Sequence, residues 1–148
     1  MYEDQVESSE EELKRADHLI YVSLKYTRTC DIMKNAIKRM INAYELVMCD
    51  FLEQLRKAKK IDEVPTNPKD RGIMVKDILG NPGKKYLILY NNLKKIDKAE
   101  YTATEEFRKN VTLKTKTTKP MFVKVDNLYN YLEITKEFIS FMRTTMKK

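Results

Sequence analysis

The sequence predicts a mainly α-helical protein, an up-and-down bundle of about five helices with a small β-hairpin before the last helix. Three observations carry this. Between Leu13 and Leu55 there is no Gly or Pro. Over that stretch Leu13, Ala16, Ile20, Ser23, Thr27, Cys30, Met33, Ile37, Met40, Tyr44, Val47, Phe51 and Leu55 step by three or four, which is helical periodicity. The whole chain holds only 3 Gly and 4 Pro, too few for a fold built on tight turns. Only in residues 111–125 does the pattern change to period two with β-branched residues.

The helices follow in order. Ser8 or Ser9, with Glu11 or Glu12 three residues on, forms a capping box that starts a first helix over about 9–25; residues 1–7 are expected to fray. A straight helix through Leu55 would run about 65 Å at 1.5 Å per residue, against a diameter of roughly 40 Å for a compact chain of this length. The apolar seam fails at Tyr26-Thr27-Arg28-Thr29, so a break is expected there, with Thr27 or Thr29 capping a second helix over about 29–60. A continuous kinked helix is the alternative. Val64-Pro65-Thr66-Asn67-Pro68 is a linker, because its prolines remove donors and hold their neighbours extended. A short helix over 69–79 is expected to stop at Gly80-Asn81-Pro82-Gly83, and another runs over about 84–98. Either that helix continues through Ala99 to Arg108, or Tyr101 to Glu106 starts a new turn with Thr102 or Thr104 as its cap. Val111 to Thr117 and Met121 to Val125 form the hairpin, and Asp126 caps a last helix to about Met146.

Length supports one domain, 1–148. No apolar run reaches the ~18 residues a membrane helix needs, and the acidic start Met1-Tyr2-Glu3-Asp4 is not a secretory leader. A cytoplasmic location is therefore expected, with no membrane partner. Cys30 and Cys49 form no CxxC pair, and His18 is the single histidine, so neither a metal site nor a cofactor is expected. Both cysteines read as free core residues. Tyr44, Tyr86, Tyr90 and Tyr131 read as core or interface rather than as a catalytic cluster.

Charge is uneven. The net charge is +7, yet residues 1–24 hold seven acidic and two basic side chains, leaving +12 for the remainder. Either the acidic segment covers basic surface within the chain, or the basic body meets a polyanion such as RNA. The most suggestive run is Arg108 to Val125. It holds Arg108, Lys109, Lys114, Lys116, Lys119 and Lys124 and no acidic residue, with Phe107 immediately before it and Phe122 near its end. With Asn110, these residues are the candidate nucleic-acid-binding set, since cations take phosphates and flat rings take unstacked bases. The bland reading is a hairpin kept soluble and guarded against edge pairing by lysines. No Ser-His-Asp pattern, Cys-His pair, GxGxxG or HExxH is present, and no catalytic residues are assigned.

The element order resembles the HEPN superfamily of helical bundles. The carrying residues are Tyr26-Thr27-Arg28-Thr29 before the long helix, the Val64-Pro65 link, and the closing stretch from Leu128 to Ile139. The resemblance implies a homodimer. Many such proteins are ribonucleases that pair an arginine with a histidine four to six residues later; others have lost the pair and bind RNA or a protein partner. Arg108-Lys109-Asn110 looks like the start of that motif, but no histidine follows. The expectation is thus a non-catalytic binding module for RNA or a protein. The alternatives are an atypical ribonuclease built on Arg108, Asn110 and Tyr101, and a structural or regulatory dimer without nucleic acid. The long helix's methionine face (Met33, Met40, Met48) also points to a dimer, as more apolar surface than one small bundle covers.

Overall fold

A computed structural model describes residues 8–147; the expected fraying of 1–7 lies outside them. Five helices and a three-stranded sheet follow one another. Helix α1 runs Ser9–His18, passes through a π-helical segment Leu19–Ser23, and ends in the turn Leu24–Tyr26. Then come α2 Cys30–Lys57, α3 Pro68–Leu79, α4 Asn81–Lys98, β1 Tyr101–Thr104, β2 Thr112–Thr115, β3 Phe122–Lys124 and α5 Val125–Met146.

The expected break after α1 is present, and its cause is local. Thr29 holds an extended backbone and its hydroxyl accepts from the Ile32 amide, which satisfies one of the orphan donors of the α2 N-terminus. At α1 the Ser8 hydroxyl accepts from the Glu11 amide at 3.1 Å.

Pairwise contacts fix the directions. Glu10 meets Arg143, Asp17 meets Lys136 and Tyr21 packs at a tilt on Tyr129, so α1 and α5 are antiparallel. Asp50 meets Arg143 and Tyr44 stacks on Phe138, so α2 and α5 are parallel. Lys34 meets Asp97 and Tyr44 stacks on Tyr90, so α4 runs against α2. Helix α2 is the central element; Met33, Ala36, Ile37, Met40, Ala43, Tyr44, Val47 and Leu52 on it are fully buried. The Tyr44 hydroxyl donates to the Tyr86 carbonyl at 3.0 Å, which makes a polar atom tolerable inside the core.

Four expectations need correction. The methionine face is not spare surface: Met33 and Met40 are 0% exposed and Met48 1%, all covered by the chain's own helices. Gly80 alone separates α3 from α4, at φ +63°, and Asn81-Pro82-Gly83 already belongs to α4. Pro82 suits a first turn because its missing N–H has no intrahelical partner there. Residues 101–104 are a strand, not a helical turn: Tyr101 pairs with Thr115 and Thr104 with Thr112, so the hairpin is the far part of a three-stranded antiparallel sheet in the order β1-β2-β3. Finally, β3 runs straight into α5. Extended Lys124 takes the cap position, its amide bonded to the Asn127 side chain at 2.8 Å, and Asp126 falls inside the first turn.

The acidic segment settles partly onto the protein itself. Glu10 pairs with Arg143, Asp17 with Lys136, and Glu12, 3% exposed, is held by Arg15, Arg39 and Asn42. The covering reading therefore holds for these three carboxylates. Cys30 is buried, Cys49 is half-buried, and both are free. Among the described residues no helix is long and apolar enough to cross a membrane.

Candidate nucleic-acid interface

The sheet caps the end of the bundle where α2 and α5 begin. Its inner row, Ala103, Leu113 and Val123, faces the core, with Leu113 and Val123 fully buried. Strand alternation then sends the neighbouring residues outward. Thr102 pairs with Lys114 and Lys114 with Phe122; two residues along, Thr104 pairs with Thr112 and Thr112 with Lys124. The outer face thus carries Lys114, Phe122 and Lys124 with exposed Thr102 and Thr104, while Thr112 in the same row is only 7% exposed. Phe122 is 57% exposed, and the Lys114 ammonium lies 5.6 Å from the centroid of its ring.

This face runs into a recess of about 220 Å³ lined by Arg28, Lys109, Asn110, Lys124, Val125, Asp126 and Tyr129. Three elements far apart in sequence build it. Arg28 comes from the α1–α2 link, Lys109 and Asn110 from the β1–β2 loop, and the rest from the continuous stretch that joins the end of β3, Lys124, to the start of α5. The loop is pinned on both sides of the link: the Phe107 amide donates to the Arg28 carbonyl at 2.7 Å, and the Glu106 carboxylate accepts from the Cys30 amide at 2.7 Å. The second bond also places a negative charge at the α2 N-terminus, where the helix dipole favours it. Behind it, the Cys30 thiol donates to the Thr112 carbonyl, and burial pushes its pKa up to about 11, so it is a packing group and not a nucleophile.

The predicted set divides. Lys109, Asn110 and Lys124 meet at the recess, and Lys114 lies beside it on the sheet face. Arg108 is exposed in the same loop. Lys116 and Lys119 are exposed past the other end of β2, where the Lys116 amide pairs with Glu100 and the Lys119 carbonyl accepts from Thr117. Sequence reasoning missed Arg28, Tyr129 and Asp126 as parts of this recess. Tyr129 packs on Tyr21, ring centroids 4.9 Å apart, and Tyr26, two residues before Arg28 in the chain, is 83% exposed. Exposed aromatic residues at the end of a helix that otherwise buries its apolar side were the available signal.

Tyr101, weighed above as a third catalytic group, has its hydroxyl committed to Asp31 at 2.9 Å. That bond to a carboxylate, with burial second, pushes its pKa up to about 12, far from what acid–base work near neutrality needs. His18 is exposed and lines a different recess with Lys14, Arg15, Leu19, Asn35 and Arg39. Among the described residues no group of three or more His, Cys, Asp or Glu side chains is placed to hold a metal ion.

Other lysines gather between α3 and α4, where Lys69, Lys76 and Lys94 border a recess. The ring there, Tyr90, is 2% exposed and its hydroxyl is bonded to Glu45. That groove offers cations and aliphatic side chains; the sheet end offers cations and open aromatic faces. No protein-family model, curated protein or solved structure matches the chain.

Proposed function

We propose that this protein is a non-catalytic RNA-binding module with an HEPN-like helical frame, acting as a homodimer and binding through the sheet end of the bundle. One observation carries the reading: Lys114, Phe122 and Lys124 on the outer sheet face continue into the recess of Arg28, Lys109, Asn110 and Tyr129. Cations at such a face take phosphates, and exposed rings and amides take bases. Binding without cutting is supported by the positions of the acid–base groups: the sole histidine is elsewhere and Tyr101 is held by Asp31. For the dimer, the surface on offer is Ile73, Ile78 and Ile88 on α3 and α4, each 43–51% exposed, since the methionines are inside.

The test is binding of a fluorescent single-stranded RNA over a salt series. The parent should bind at low salt and weaken steadily, with a log–log slope of about −0.7 per phosphate neutralised. Lys114→Glu with Lys124→Glu should abolish binding, and the RNA should be recovered uncut. No binding at low salt overturns the reading.

A further inference from the structure

The β1–β2 loop holds two non-glycine residues in the left-handed region, Glu105 at φ +54° and Phe107 at φ +67°. A bulky aromatic residue avoids that conformation unless its surroundings impose it. Here they do. The Phe107 amide is tied to Arg28, Glu106 to the Cys30 amide, the Arg108 amide to the Glu105 carbonyl, and the Val111 amide to the Arg108 carbonyl, with Val111 fully buried behind. The loop is therefore built rather than loose. What it displays is the Phe107 ring, 74% exposed. Folding gains little from a ring held there, so the strained display points to use at the surface.

The surroundings indicate the partner. The Phe107 amide is bonded to the Arg28 carbonyl, Arg108 and Lys109 follow it in the chain, Glu106 is occupied by the α2 N-terminus, and Glu105 is the remaining carboxylate of the loop. On the outer sheet face Phe122, 57% exposed, presents a second ring beside Lys114. We infer that Phe107 is a base-stacking residue and Phe122 a second stacking platform, so that the interface takes single-stranded nucleic acid with unpaired bases in preference to duplex. The inference rests on the RNA-binding reading above. It goes beyond it because cations alone would accept either form, whereas a stacking ring needs a base free of its own neighbours.

The experiment uses a single-stranded RNA carrying one 2-aminopurine, whose fluorescence reports stacking, and a duplex of the same length. The variants are Phe107→Gly and Phe107→Leu. Glycine accepts the positive φ, so Phe107→Gly leaves the urea midpoint unchanged or raised, and loss of fold cannot explain its result. The parent should prefer the single strand, and its binding should change the 2-aminopurine signal. Phe107→Gly should weaken single-strand binding about 5- to 150-fold and remove the signal change, and Phe107→Leu should also lose the signal change. If the parent binds single strand and duplex alike and Phe107→Gly matches it, the stacking inference falls while the RNA-binding reading stands. If the parent binds neither at low salt, the reading itself falls and Phe107 is left as a protein contact.

Discussion

Replacing Glu12 with glutamine tests how the acidic first helix is tied to the bundle. Glu12 is 3% exposed and accepts from Asn42 at 2.7 Å, from an Arg39 nitrogen at 3.1 and 3.3 Å, and from Arg15 at 3.1 Å. Glutamine has nearly the same shape, so no cavity opens and the cost is electrostatic. Its amide nitrogen must replace one carboxylate oxygen and so face two of those donors, and those two charge-assisted bonds are lost. Hydrogen bonds to charged groups contribute about 1.5–3 kcal/mol. Breaking a fully buried ion pair costs about 3–5 kcal/mol, but the side chains of Arg39 and Arg15 are 35% and 43% exposed and regain water. The expected loss is about 2 kcal/mol, roughly 5–8 °C in Tm for a chain of this size. Urea unfolding followed by far-ultraviolet circular dichroism measures it. Arg39→Met and the double variant complete a cycle in which the two losses should fail to add. A Glu12→Gln loss below about 0.5 kcal/mol, the range of ordinary surface changes, would refute the reasoning.

Three further outcomes are expected. Gly83→Ala gains helix propensity of up to about 1 kcal/mol, yet its Cβ would lie 2.8 Å from both Cβ and Cδ1 of Leu79; the net change should be destabilising, by roughly 1 kcal/mol, read from the same urea curves. Gly80→Ala meets no atom within 4 Å but is forced to φ +63°, so it should cost about 1–3 kcal/mol through backbone strain alone. The Arg143 guanidinium, through its hydrogen bond, holds the Glu10 carboxyl at about 2 against an ordinary 4.5. A depressed carboxylate stabilises the fold fully above its unfolded value, and that contribution fades as pH falls from about 4.5 toward about 2. The stability gap between the parent and Glu10→Gln should therefore be small at neutral pH, under about 1 kcal/mol for so exposed a pair, and should close over that acid window.

The helices were legible because each carries its own signal. Ile20, Cys30, Met33, Ile37, Met40, Tyr44 and Val47 are buried at the spacing that suggested them, and Thr29 caps α2 as its residue type allows. The hairpin was legible from the alternation of 112–115 and 122–124. Strand β1 was not, because Tyr-Thr-Ala-Thr is short and its identity as a strand comes from pairing with β2 across an intervening loop. Gly83 looked like a helix stop because close packing on Leu79 cannot be seen from local sequence. The site was half legible. Lys109, Asn110, Lys114 and Lys124 stood out as a basic run without acidic residues, whereas Arg28 lies some eighty residues earlier and is brought to them by long-range contacts such as the Phe107–Arg28 and Glu106–Cys30 bonds. The sequence offers Glu12 only as a capping-box residue, because the side chains that hold it, Arg39 and Asn42, come from the next helix.

The most direct test of the account is a titration of the ¹⁵N-labelled protein with single-stranded RNA, read as backbone amide shifts residue by residue. The account predicts shifts concentrated on 107–110, 112–114 and 122–129, with Arg28 among them, shrinking as salt is raised. Shifts confined to the lysine groove between α3 and α4, or none at low salt, would contradict it.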